Sequence, residues 1–258
     1  MTLAQLAPRP RDVAANLARA VEVIGSSSRS DLVVLPELFL SGYELGDPEA
    51  VAIELDGPEL RELRDAAAGA GTAAVVGAAE ATAGSVANSA ICIDAAGEPA
   101  ATYRKTHPFG AERDVYVAGD ELVTVALGGR VLGLMICFDM EFPEVARTLA
   151  RSGADVLVTI SANPAEFELD HEVFARARAL ESGLPHVYVN RVGEQDGLSF
   201  GGGSTALDAG ARVLAEAGPA EERIVDAEIG APGRLDPRIR YLELLREDLS
   251  VRRIAPVS

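Results

Sequence analysis

Asp31-Leu-Val-Val-Leu35 and Asp155-Val-Leu-Val-Thr159 follow one pattern, an aspartate opening a short apolar run, and each is preceded by a helical stretch. Before the first copy, residues 11–29 carry apolar side chains at helical spacing (Val13, Leu17, Ala20, Val21, Ile24). After it come a helix over 58–70, with Pro58 in its first turn, a strand over 73–79, and strands over 88–93 and 100–104 joined across Asp94-Ala-Ala-Gly97. The second copy sits in the same order. A strand over 131–137 and a helix over 143–152 lead to the strand over 155–160, then a helix over 170–183, a strand over 186–191 and a hairpin pair, 204–207 with 212–216. Two such halves predict a pair of mixed sheets packed face to face with helices outside, a four-layer α-β-β-α sandwich with an internal pseudo-repeat. Helix–strand order alone equally permits one doubly wound sheet.

At 258 residues with 48% apolar and 24% charged side chains, the chain matches a globular protein with one large core, so residues 1–258 are expected to form a single domain. The tail from Arg234 is expected to reach a partner subunit, because Tyr241, Leu242, Leu244 and Leu245 offer apolar surface. Subtracting 40 acidic from 23 basic residues gives −17, which repels nucleic acid and anionic membrane. That charge reads as a solubilising surface; the other reading, adaptation to salt, requires stability that rises with salt. Residues 1–12 lack a basic segment followed by an apolar signal core, and no run reaches the roughly 20 apolar residues of a membrane span, so a cytoplasmic protein is expected. Two cysteines, both in apolar runs, read as free thiols.

Of the 23 basic residues, 22 are arginine and Lys105 is the one lysine, a compact point charge able to serve a single developing oxyanion. Cys137 closes the run Val131-Leu-Gly-Leu-Met-Ile-Cys137 just before a helix start, where backbone N–H groups lower a thiol's pKa and cradle an oxyanion. Cys92, mid-run with no turn beside it, reads as packing. Glu37 follows the strand Leu32-Val-Val-Leu35 and Pro36, at the end where open α/β sheets hold ligands, and a carboxylate shielded there has the raised pKa of a general base. The plain alternative for Glu37 is a surface loop acid.

Leu35-Pro-Glu37 with Gly42-Tyr43, Tyr103-Arg-Lys105-Thr-His107 with Glu112, and Ile136-Cys137-Phe-Asp139 with Phe142-Pro-Glu144 together resemble the nitrilase superfamily of carbon–nitrogen hydrolases. Asn190-Arg-Val-Gly193 and Gly202-Gly-Ser204 extend the resemblance over nearly the whole chain. It implies the α-β-β-α sandwich, subunits paired into a homodimer, and a Glu-Lys-Cys catalytic set without metal or organic cofactor. On that resemblance Cys137 is the nucleophile that forms a thioester, Glu37 the base that moves its proton, and Lys105, with a backbone N–H near Phe138, the oxyanion donor. Glu112 matches the family's second glutamate and would hold the substrate amide or position the thiol. Glu141 stands where the family often has arginine. This resembles a branch of amidases acting on amides of amino acids or amino-alkanoic acids, so Glu141 would pair with a substrate ammonium; the alternative is an acid stabilised by a helix N-terminus. Asn163, after the second strand copy, is expected to face the pocket.

A Cys–His pair with His107 lacks papain-type sequence around the thiol, and His171 and His186 lack zinc-ligand spacing. Gly201-Gly-Gly203 lacks the phosphate-loop lysine and reads as a tight turn. Three functions follow: an amidase releasing ammonia from a small primary amide, a nitrilase or N-carbamoyl hydrolase with the same thioester logic, and a non-enzymatic protein on the same sandwich.

Overall fold

The computed structural model describes residues 1–231, 241–246, 248 and 250. The first half runs β1 (Thr2–Gln5), α1 (Val13–Ser26), β2 (Leu32–Val34), α2 (Pro58–Ala70), β3 (Ala73–Thr82), β4 (Ser85–Ile93) and β5 (Pro99–Arg104). The second runs β6 (Thr124–Leu127), β7 (Arg130–Ile136), α3 (Pro143–Arg151), β8 (Val156–Ser161), α4 (Glu168–Ser182) and β9 (His186–Asn190). It continues through a two-stranded ribbon, β10 (Val192–Gln195) with β11 (Leu198–Gly201), to β12 (Thr205–Leu207), β13 (Val213–Glu216) and β14 (Arg223–Asp226). One sheet has the order β14-β1-β2-β3-β4-β5 and the other β13-β12-β9-β8-β7-β6. Read from their outer antiparallel edges, β14 and β6, the two sheets superimpose in connectivity: β1, β2 and β3 correspond to β7, β8 and β9, with α1 and α2 in the places of α3 and α4. The pseudo-repeat is therefore real, and two packed sheets replace the doubly wound alternative.

Period-two alternation builds the four layers. Leu32 and Val34 on β2 meet Leu132, Leu134, Val156 and Val158 of the other sheet in one core. Val33, between them in sequence, faces the other way, onto Leu17, Ile24 and Leu63 of α1 and α2. Likewise Met135 and Leu157 pack against Val145, Leu149 and Ala179 of α3 and α4. Asp12 caps α1 by accepting from the Ala15 N–H, and αL glycines, Gly71 and Gly183, close α2 and α4. Cys92 lies inside the intersheet core as expected, its thiol pushed up to about 12 by burial.

Besides the β10–β11 ribbon, three short strands at or next to the sheet edges escaped the sequence reading. β1 and β14, four residues each, pair antiparallel from Thr2↔Asp226 to Gln5↔Arg223, and β6 pairs with β7. They are too short for their periodicity to stand out; β1 and β14 sustain each other across the length of the chain, and β6 leans on the adjacent β7. Of the tail from Arg234, the described part includes the helical turn Tyr241–Leu244, with Tyr241 and Leu244 exposed; the remainder lies outside the described residues. Among the described residues no helix is long and apolar enough to cross a membrane.

One close approach positions the end of β2. A Cβ on Gly77 of β3 would stand 2.1 Å from the Pro36 carbonyl oxygen and 2.7 Å from the Glu37 Cα, so only glycine lets the Pro36–Leu38 turn lie across the strand. Gly77→Ala should push that turn outward, lowering the melting temperature by about 5 °C and hydrolytic activity by at least about tenfold. Thermal denaturation and rate assays check this; wild-type behaviour in both would contradict the packing account.

Candidate active site

Three strand ends bring the predicted residues together. Glu37 lies just past β2, Lys105 just past β5 and Cys137 just past β7, so the site draws on both halves. The intervening backbone is pinned locally. The Leu35 N–H donates to Val75 O and the Leu40 N–H to Gly77 O, which hold the Glu37 turn, and the Lys105 N–H donates to Asn88 O. Leu38 and Cys137 both adopt positive φ, +49° and +48°. For non-glycine residues this left-handed backbone is strained and is held by its surroundings. At Cys137 it sets the thiol at the start of the 3₁₀ turn Cys137–Glu141.

Lys105 is 2% exposed, and its ammonium bridges two carboxylates. Nζ lies 2.7 Å from Glu37 Oε1 and 2.8 Å from Glu112 Oε2. Each acid is satisfied further. Glu37 Oε1 accepts from Asn88 Nδ2 at 2.6 Å and Oε2 from the Ala162 N–H at 2.6 Å. Glu112 accepts from Tyr43 O–H at 2.7 Å and from the Phe109 N–H at 2.9 Å. Burial pushes the Glu37 carboxyl up and the Lys105 charge holds it down, leaving it above the ordinary range. For Lys105 burial alone would lower the pKa, but Glu37 and Glu112 outweigh it and hold the ammonium charged. Burial, and then the Glu37 charge, raise the Cys137 thiol, while Lys105 and a hydrogen bond from Ser161 oppose the rise. The resting group is thus a thiol beside a carboxylate, suited to transfer of its proton as it attacks.

Cys137 opens into a cavity of about 130 Å³. Phe109, Phe138 and Phe167 form its apolar wall, with Phe109 edge-on to the other two rings at 5.2 and 5.9 Å. Glu112, Glu141, Asp170 and His171 supply its polar lining. Asn163 also lines it, with its side-chain N–H committed to Phe167 O at 3.1 Å. The structure therefore brings Glu37, Lys105, Glu112 and Cys137 together and sets Phe138, Glu141 and Asn163 around the same cavity. His107 is turned elsewhere: it stacks on Phe142 at 4.1 Å and pairs with Asp139 at 2.9 Å, so it is no partner for the thiol. His186 is buried against Thr159 Oγ1 and Ala175 O, and no group of metal-ligating side chains occurs among the described residues. Gly202, at φ +70°, turns against Gln5 and Val192, where a Cβ would stand 2.8 Å from each.

Sequence reasoning assigned no role to Asn88, Ser161 or Asp139. Asp139 sat inside a quoted motif, four residues before a helix, with nothing to separate it from an ordinary acid near a helix start. In the fold it is fully buried and ties two of the loops around the cavity to one another. Oδ2 accepts from Tyr103 O–H at 2.7 Å and the Ile136 N–H at 3.0 Å, and Oδ1 from Thr106 O–H and the His107 N–H, both at 2.9 Å. The loop carrying Lys105 is thereby fixed to the turn carrying Cys137. Asp139→Asn, nearly isosteric, must point an amide N–H₂ at these donors and should cost about 2–3 kcal/mol. Chemical denaturation measures that loss, and kcat should fall with it; an unchanged midpoint and kcat would refute the assigned role.

The comparisons with known proteins agree with this geometry. A family model for carbon-nitrogen hydrolase matches residues 1–233. An (R)-stereoselective amidase from Pseudomonas sp. is 42% identical over 226 residues, covering 86% of this chain and 82% of that protein. A nitrilase from Pyrococcus abyssi is 38% identical over 234 residues, 87% of each chain. Among solved structures, a mutant of an amidase from Nesterenkonia sp. AN1, with the acetamide moiety of fluoroacetamide added covalently at its active-site cysteine, aligns with TM-score 0.81 at 28% identity. It covers 95% of this chain and 92% of that one. With the buried Glu-Lys-Cys constellation, the two-sheet sandwich and these matches, the chain belongs to the carbon-nitrogen hydrolase family of the nitrilase superfamily.

Proposed function

We propose that this chain is a cysteine-dependent amidase that hydrolyses a small primary amide bearing an amine, giving the carboxylic acid and ammonia through a thioester. The observation that carries the reading is the buried Lys105 ammonium held between Glu37 and Glu112 beside the cavity into which Cys137 opens. Cys137 Sγ attacks the amide carbon while Glu37 takes the thiol proton. Lys105 Nζ and the Phe138 N–H receive the negative charge that develops on the carbonyl oxygen, a contribution of about 3 kcal/mol per donor. As the tetrahedral adduct collapses, the C–N bond breaks, Glu37 returns the proton to the leaving nitrogen, and ammonia departs. Glu37 next removes a proton from water, the resulting hydroxide attacks the thioester, and the proton passes to the departing sulfur. Glu37's raised pKa supports this shuttle, since a base that must also release its proton works best with a pKa nearer neutrality. Glu112 keeps Lys105 aimed.

Cavity size and charge support the substrate class. About 130 Å³ admits only a small molecule, and Glu141 and Asp170 present carboxylates beside an aromatic wall, a combination that favours an ammonium. The 42% identical relative named as an amidase points the same way. No metal or organic cofactor enters any of these steps, and the working unit is expected to be a cytoplasmic homodimer.

Ammonia release should be measured over neutral amides, ω-amino amides, amino-acid amides, nitriles and N-carbamoyl acids. Turnover is expected on the amine-bearing amides, abolished in Cys137→Ala. In Glu141→Gln the preference for amine-bearing over neutral amides should shrink by about ten- to a hundredfold. Unchanged preference would overturn the role of Glu141, and turnover confined to nitriles or carbamoyl acids would overturn the substrate class.

A further inference from the structure

Cys137 is reached by a second line of buried polar groups that the steps above leave unused. Ser161, the last residue of β8 and fully buried, hydrogen-bonds the Cys137 sulfur. The Tyr188 O–H, from the neighbouring strand β9, donates to Ser161 Oγ at 3.3 Å. His171 Nδ1 lies 2.9 Å from the Tyr188 oxygen, with the two rings edge to face at 5.6 Å. His171 Nε2 lies 3.4 Å from Glu141 Oε1. These contacts join the cavity's acidic wall to the nucleophile without passing through Lys105.

The donor count fixes the direction of the chain. A phenol has one proton, and Tyr188, spending it on Ser161, can only accept from His171, so the hydrogen of that contact sits on His171 Nδ1. Burial, and then the Cys137 charge, hold the phenol far above its ordinary pKa, so Tyr188 keeps its proton as the thiolate forms. Every donor therefore points toward sulfur: imidazole to phenol, phenol to hydroxyl, hydroxyl to thiolate. In such a series each bond polarises the next. His186 is the contrast. It too is a buried histidine, but both its nitrogens are used within the fold, on Thr159 Oγ1 and Ala175 O, and it touches neither the cavity wall nor the nucleophile's partners.

We propose that His171 is a positioning residue with two outputs. Through Nδ1, Tyr188 and Ser161 it aims a hydrogen-bond donor at the Cys137 sulfur, and in the imidazolium form, with both ring nitrogens carrying hydrogen, it holds through Nε2–H the Glu141 carboxylate in the orientation that receives the substrate's amine. The second output rests on the amine-bearing substrate proposed above; the first does not depend on it.

Alkylation of Cys137 by iodoacetamide, followed by intact mass, reads the first output without any substrate, and kcat and KM on an amine-bearing amide read the second. Tyr188→Phe keeps the ring and removes the link, so alkylation and kcat should each fall about tenfold with KM unchanged. Ser161→Ala, which cuts the chain one link nearer the sulfur, should repeat that result. In His171→Asn the side-chain amide reaches the Nδ1 position but not Glu141, so KM should rise several-fold with alkylation near wild type. In His171→Gln the amide reaches toward Glu141 instead, and alkylation should fall with KM near wild type. Alkylation within twofold of wild type in both Tyr188→Phe and Ser161→Ala would overturn the relay, and equal effects of Asn and Gln at 171 would overturn the division of roles. Slowed alkylation in an enzyme inactive on every amide would sustain the relay and end the amidase reading, whereas wild-type alkylation in an active enzyme would end the relay alone.

Discussion

Two carboxylates and one ammonium, all but excluded from water, set the terms on which this structure holds together. A buried ion costs several kcal/mol unless its partners and hydrogen bonds are nearly ideal, and breaking such a pair leaves about 3–5 kcal/mol of uncompensated charge. Lys105 meets that demand by sharing its donors between Glu37 and Glu112, while Asn88, Tyr43 and two backbone N–H groups occupy the remaining acceptor positions. Two acids against one lysine still leave an excess negative charge. Arg191, fully buried over the Phe200 ring at 4.0 Å and lowered to about 10 by burial, supplies a second cation that Glu37 helps to keep charged. The chemistry inherits this arrangement. The same charges that must be neutralised for the chain to fold set a carboxylate and an ammonium beside the thiol, the arrangement on which the proposed reaction rests.

The duplicated architecture explains why the site lies between the halves. In each half the connections return the chain to the same end of its sheet, so the Glu37 turn after β2 lies beside the place its pseudo-repeat gives to the end of β1, the counterpart of β7, after which Cys137 stands. Packing the sheets face to face then brings one half's carboxylate and lysine to the other half's thiol. Asp139 adds a direct tie between the two loops, from Tyr103, Thr106 and His107 to the backbone at Ile136. Neither half has a complete set of reactive groups.

Much of this was legible in the chain because the relevant signals are local. The apolar runs at 32–35 and 156–159 are buried strand segments with the same flanking helices, and a single lysine in an arginine-rich composition marks its own position. The helix over 58–70 was read to the residue, since Pro58 and Gly71 punctuate it in sequence. What stayed hidden depends on distant partners. β14 exists only against β1, more than 200 residues earlier, and four residues carry too little pattern to announce either strand. Asn88, beside Ser89, and Ser161 are polar residues within otherwise apolar strands, where nothing local separates a partner of the site from an ordinary alternating position. Asp139 and His171 have roles written entirely in tertiary hydrogen bonds. Glu141 was picked out through the family resemblance, and its neighbour across the cavity, Asp170, had no such signal.

If the buried Glu-Lys pair makes Cys137 and not Cys92 an acyl carrier, rapid quenching during turnover of an amine-bearing primary amide, followed by peptide mass spectrometry, will catch the acyl group on it. A mass increment equal to the substrate's acyl group is expected on the peptide containing Cys137, absent from Cys92 and absent when Glu37→Gln is mixed with the same amide. Turnover with no acylated cysteine at any quench time, or an increment on Cys92, would contradict it.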